Sequence, residues 1–242
     1  MAGLYYARSF MRELGHKNQR EWAVHVVSFA HAVLISSLAF PMLLDPVLAA
    51  DPLFAHAPYP EFVIAIACGY FLWDMGICLY RLQSNGLGFL VHGVSCFFVF
   101  LLAFKPFVMF YGGPFLMYEL STPFLNLIWF CDKSGRSGSR LQLFSGISLI
   151  LVFFFSRIVG GLYYGTHFYV TIWHRWSEIN PALASVYCVA YTVLSVLNFY
   201  WFYRILKQAQ RRLSSTKSKE ASASDTSTSA PKSKTAKVKK IE

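Results

Sequence analysis

Long apolar runs alternate along the chain with short polar connections. Six runs stand out, over residues 22–44, 62–80, 88–104, 107–130, 141–163 and 182–205. A bilayer core about 30 Å thick takes about 20 mostly apolar residues in a helix. The third run, at 17 residues, sits at the lower limit of that length. Within lipid every backbone N–H and C=O needs an internal partner, so runs of this kind predict helices. The ten-residue alternation of a membrane barrel is absent. The fourth run carries its own interruptions, Gly112-Gly113-Pro114 and then Pro123, each of which disturbs a helical hydrogen-bond ladder.

Composition sharpens this pattern. Of 242 residues, 55% are hydrophobic, 18% aromatic and only 14% charged. A soluble domain carries about 25% charged residues to cover its surface. The net charge of +10 suggests a nucleic-acid binder until its distribution is read. Residues 204–242 hold eleven basic and three acidic residues, residues 1–20 four and one, and residues 21–203 seven and eight. The central region is thus nearly neutral between two basic ends, and no nucleic-acid partner is expected. The first-to-second loop has Asp45, Asp51 and Glu61 but no Lys or Arg, whereas the fourth-to-fifth loop has Lys133, Arg136 and Arg140. The positive-inside rule then predicts both termini in the cytosol. The expected domains are a basic arm over 1–20, a transmembrane domain over 21–206, and a disordered Ser/Thr/Lys-rich tail over 207–242. Five cysteines without a CxxC pair give no disulfide framework and no metal site.

Ionisable groups inside a bilayer are costly and mark candidate sites. They are His25 and His31 in the first run, Asp74 in the second, His92 in the third, Glu119 in the fourth and Arg157 in the fifth; Asn126 and Asn198 add neutral polarity. Glu119, Thr122, Pro123 and Asn126 share one helical face by their spacing. Arg157, Gly161 and Tyr164 form another. Asp74 has two available partners, Arg157 across the bundle or Arg81 seven residues on. The expected fold is therefore all-α: a polytopic membrane bundle of about six transmembrane helices enclosing a polar cavity. His25, His31, Asp74, Glu119, Thr122, Asn126, Arg157 and Asn198 are its expected lining. Two readings of the acidic groups stay open. Glu119 and Asp74 neutralise Arg157 and fix helix register, or they belong to a catalytic or headgroup site. His92 is the one candidate catalytic residue, as base or nucleophile, with a hydrogen-bond bridge as its alternative role.

The chain ends Lys239-Lys240-Ile241-Glu242. Lysines at the third and fourth positions from a cytosolic C-terminus resemble the dilysine retrieval signal of endoplasmic reticulum membrane proteins, read by a coat receptor. The expected location is thus the endoplasmic reticulum membrane.

Taken in order, Glu21-Trp22 with Ser28 and His31, Gly69-Tyr70 with Asp74, His92, then Glu119-Leu120-Ser121-Thr122-Pro123-Phe124 with Asn126, and finally Arg157 resemble the TLC domain. That membrane domain is shared by ceramide synthases, TRAM proteins of the translocon and a lysosomal-disease protein of the endoplasmic reticulum. The resemblance covers about residues 20–206 and lies with the small TLC domain-containing proteins related to the fourth human member, apart from the ceramide synthases. It implies a helix bundle around a cavity open to lipid, and a role in lipid homeostasis through lipid binding, sensing or transfer. Ceramide synthases transfer an acyl chain from acyl-CoA with a His-His pair. Here the first histidine falls on His92 and the second on Gly93, which has no side chain. Acyl transfer, with acyl-CoA as substrate, is therefore an alternative, as is a transporter or chaperone-like membrane partner. No cofactor is implied; membrane lipids and the coat receptor are the expected partners.

Overall fold

The computed structural model describes residues 16–105 and 107–228. Lys239 and Lys240, the expected retrieval signal, lie outside the described residues. Every regular element among the described residues is helical. The chain divides into two compact units, residues 1–202 and 203–242.

In the first unit, α1 (His16–Ala39) runs into a tight turn, Phe40–Leu44. Asp45 starts the short α2 (Pro46–Ala50) by accepting the backbone N–H groups of Val47 and Leu48, which leaves fewer orphan donors at the helix start. Helix α3 (Pro58–Tyr80) opens on proline with Glu61 in its first turn; a missing N–H costs nothing there and an acidic group complements the helix dipole. After the single turn α4 (Leu82–Asn85), Gly86 adopts φ 85, a left-handed conformation that favours glycine. It leads into α5 (Leu87–Leu102).

The fourth apolar run folds in pieces: α6 (Met109–Leu116), a tight turn over Met117–Ser121, and α7 (Thr122–Lys133). The breaks follow the prolines, Pro114 inside α6 and Pro123 in the first turn of α7. Helix α8 (Arg140–Phe153), capped by Ser139, passes through a π-helical segment, Phe154–Val159, into α9 (Gly160–His174). Helix α10 (Pro181–Thr228) follows.

Among the described residues, four helical stretches are long and apolar enough to cross a membrane: Asn18–Leu44, Pro58–Tyr80, Arg140–His174 and Pro181–Arg212. The other two expected spans take different forms. One is α5, a shorter apolar helix, and the other is the broken α6–α7 segment. The fifth span is longer than the apolar run suggests because aromatic and small residues carry the helix on to His174. In the second unit helix continues to Thr228, where composition alone expects disorder from Lys207. The Leu206–Leu213 stretch is rich in Lys, Gln, Arg and Leu, all good helix formers.

The bundle packs tightly where side chains are small. Helices α3 and α5 approach so closely at Gly93 that a Cβ there would lie 3.2 Å from the Met75 Cα. One apolar cluster joins Ile35, Met42, Ile64, Phe71, Phe100 and Leu116, and a second joins Leu53, Phe107, Val108, Tyr111, Phe168 and Tyr187. The outer surface is also apolar: Leu44, Leu79, Tyr80 and Trp173 are all more than half exposed. Such a surface is costly in water and suited to lipid.

Candidate functional site

Between the two apolar clusters lies a cavity of about 70 Å³, room for several waters. Its walls are aromatic: Phe71 from α3, Phe100 from α5, Tyr111 and Phe115 from α6, Phe168 from α9, and Tyr187 and Tyr191 from α10. Tyr118, Glu119, Arg157 and Asn198 meet at one end; His92 and Cys96 from α5 and Ser195 from α10 also line it.

Arg157 organises that end. It sits in the π-helical segment, a feature that recurs at functional sites because the extra residue in the turn redirects a side chain. Its Nε donates to the Tyr118 carbonyl oxygen at 2.9 Å and to Ser121 Oγ at 3.1 Å. Nη1 donates to Asn198 Oδ1 at 3.3 Å and Nη2 to Thr122 Oγ1 at 3.4 Å. Nη2 also lies 3.5 Å from Glu119 Oε1, with both side chains less than a tenth exposed. The guanidinium thus holds the tight turn Met117–Ser121 to the π-helical segment and to α10. One turn along from Arg157, Gly161 makes room for the Tyr118 hydroxyl and its carbonyl oxygen accepts the Tyr191 hydroxyl at 2.9 Å. One turn further, the Tyr191 ring occupies the space that a side chain on Gly165 would need. The Tyr118 hydroxyl is buried with no hydrogen-bond partner among the described residues, a deficit of about 1–3 kcal/mol.

The expected site residues divide between the cavity and its surroundings. Glu119, Arg157, Asn198 and His92 line it. Thr122 stands behind the floor as an acceptor for Arg157. His25, His31, Asp74 and Asn126 lie off the wall, against the expectation that they line the cavity. The reason is that each packs between helices. His25 Nδ1 donates to Asn126 Oδ1 at 2.6 Å, and Asn126 Nδ2 donates to Ser28 Oγ at 3.2 Å, which ties α1 to α7. His31 stacks on Tyr70 at 3.6 Å between ring centroids, and its Nε2 has no partner among the described residues. Asp74 faces α5 beside Gly93 and accepts a weak contact from Cys78 Sγ at 4.0 Å. Neither arginine offered to Asp74 takes it: Arg157 pairs with Glu119, and Arg81 with Glu21 at 3.0 Å. His92 has Cys96 Sγ 3.7 Å from both ring nitrogens and the Trp201 ring edge-on at 5.2 Å.

The aromatic wall escaped the sequence pattern because tyrosines in an apolar run read as span residues. Gly161 and Gly165, spaced four and eight residues after Arg157, were the available signal. A second missed feature closes the far end of the cavity. Val108 lines it and adopts φ 56, an outlier for a β-branched residue. Its N–H donates to the Leu53 carbonyl oxygen at 2.7 Å. Asp51 holds that loop by accepting from Leu53 N and Phe54 N, and pairs with Arg175, which also binds Glu178. Against the opposing effect of partial desolvation, the bonds from Arg175 and from the two backbone N–H groups keep the Asp51 carboxyl below its ordinary value. The Arg175 hydrogen bond does the same for Glu178.

The family model described as the TLC domain matches residues 21–207. The chain belongs to the TLC domain family. Among curated relatives, an uncharacterized TLC domain-containing protein of Schizosaccharomyces pombe is 32% identical over 200 residues, covering 83% of this chain and 69% of that protein. Human TLC domain-containing protein 4 is 29% identical over 213 residues, covering 86% and 81%. A Saccharomyces cerevisiae relative, named topoisomerase I damage affected protein 4, is 29% identical over 197 residues, covering 79% and 70%. These matches put the chain with the TLC domain-containing protein 4-like branch. Within this TLC domain, position 93 faces the α3 backbone. A histidine there, as in the ceramide-synthase pair, would meet Met75 before it reached the cavity.

Proposed function

We propose that this TLC domain takes the head of a membrane lipid, with the first carbons of its chain, into its bundle cavity and contributes to lipid homeostasis of the endoplasmic reticulum membrane by binding, sensing or transferring it. The observation that carries this reading is the lining: aromatic walls for the carbons of an acyl chain, with the one carboxylate and the one guanidinium among the described lining residues paired at the Arg157 end. Small-molecule sites commonly combine a mostly apolar pocket with a few placed polar groups. Acyl transfer of the ceramide-synthase type has less support, since His92 stands without a second histidine and Gly93 packs against backbone. The test is lipid retention by the purified full chain extracted with its surrounding membrane, compared with Ser195→Trp, which fills the cavity from α10. A lipid class enriched in the parent and lost in the variant is expected. Identical lipid profiles for parent, variant and bulk membrane would contradict the proposal.

The location belongs to the same reading. Loop charges favour cytosolic termini, and Lys239 and Lys240 then present a retrieval signal to a coat receptor. Replacing both lysines by alanine is expected to move a tagged chain beyond the endoplasmic reticulum. Unchanged retention would show that the tail carries no address.

A further inference from the structure

Formal charge on the cavity wall comes to rest in one pair. Among the described lining residues the permanently charged or acidic side chains are Arg157 and Glu119, and they face each other at 3.5 Å. Arg157 is also committed elsewhere. Its three nitrogens together serve the Tyr118 carbonyl, Ser121, Thr122 and Asn198. A headgroup phosphate or carboxylate entering this end would have to take Arg157 from Glu119, leaving two anions side by side where water is scarce. A cationic head would have to sit against Arg157. Each arrangement leaves a buried charge without a partner, which is strongly unfavourable. Asp74 does not alter the sum at the wall, because it lies between α3 and α5, 3.4 Å from where a Gly93 Cβ would stand. The remaining titratable liners are His92, Cys96 and the tyrosines.

Resting on the lipid-binding reading above, the geometry points to an occupant whose head is uncharged, a hydroxyl or carbonyl amphiphile, with Glu119 setting that selectivity by cancelling Arg157. Glu119 is a selectivity residue on this view and needs no part in bond making. An uncharged head still finds hydrogen-bonding groups at the Arg157 end and brings no new charge to it. Changing the charge of the pair by one in either direction, at constant shape, should redirect the preference. Glu119→Gln removes the carboxylate and leaves Arg157 in excess. Asn198→Asp adds a carboxylate where Arg157 already donates.

The experiment measures binding of three probes with the same sixteen-carbon tail. They are hexadecanol, hexadecyl sulfate and hexadecyltrimethylammonium, tested on the full chain in phosphatidylcholine nanodiscs with empty nanodiscs as blanks. For the parent, hexadecanol is expected to bind at least about tenfold more tightly than either ion. Glu119→Gln should shift the ratio at least about tenfold toward the sulfate, and Asn198→Asp as far toward the trimethylammonium. Asp74→Asn should leave the order unchanged. The inference is overturned if either ion matches hexadecanol on the parent, if a folded Glu119→Gln or Asn198→Asp keeps the parental order, or if Asp74→Asn changes it. Should neither wall variant fold, the parental order alone decides. Binding of none of the three would overturn the lipid-binding reading as well, a different result from binding of the wrong one.

Discussion

Replacing Arg157 by methionine isolates the energetics of the polar end of the cavity. Methionine keeps most of the length of the side chain and removes the charge and every donor. Glu119 is then left in a site where its side chain is 9% exposed. The acceptors Tyr118 O, Ser121 Oγ, Thr122 Oγ1 and Asn198 Oδ1 lose their donor together. Breaking a buried pair by removing one member costs about 3–5 kcal/mol, most of it the uncompensated charge. For a chain of this size about 2–4 °C of melting temperature goes with each kcal/mol, so a fall of roughly 6–20 °C is expected. Tryptophan fluorescence melts in mild detergent read it directly. The paired replacement Arg157→Met with Glu119→Leu removes both charges and should recover most of the loss, since apolar substitution of a whole buried pair is often neutral or better. A single variant within about 1 kcal/mol of the parent, or a double variant no better than the single, would refute the reasoning.

Two further predictions probe the frame around the cavity. Gly93→Ala gains about 1 kcal/mol of helix propensity but forces a methyl to 3.2 Å from the Met75 Cα, an overpacking cost of about 1–3 kcal/mol; a net loss of up to about 2 kcal/mol is expected in the same melts, and a gain would mean that α3 and α5 are not in close contact there. At the far end, Asp51 and Glu178 have folded values below their ordinary 3.8 and 4.5, so the stability they contribute is present above that range and is lost as the pH falls through the lower folded values. Arg175→Gln should therefore expose the Val108 amide to faster hydrogen exchange near pH 7, with the difference from the parent closing as the pH falls through the lowered folded values of the two carboxyls; a gap that is constant with pH would remove the ion contacts from the account of this loop.

The long helices were legible because apolar run length in a bilayer leaves few alternatives. The break in the fourth run was legible too, in Pro114 and Pro123. Partner choice across the bundle was not. Asp74 and Glu119 are equally acidic, and only the approach of the Met117–Ser121 turn to the π-helical segment decides that Arg157 takes Glu119. The π-helical turn itself has no signature in residue type. His25, His31 and Asn126 were recognisable as buried polar groups, but not as interhelical ties, because that depends on which neighbour faces them. Arg175 and Asp51, separated by 124 residues, are brought together only by the packing of the loops at one end of the bundle.

Whether the cavity holds a lipid is measured most directly by native mass spectrometry of the full chain ejected from membrane particles, with Ser195→Trp beside it. A discrete lipid mass bound to the parent, uncharged in its head and missing from the variant, is the predicted result. A parent that emerges bare, or a variant that keeps the same adduct, would contradict the account.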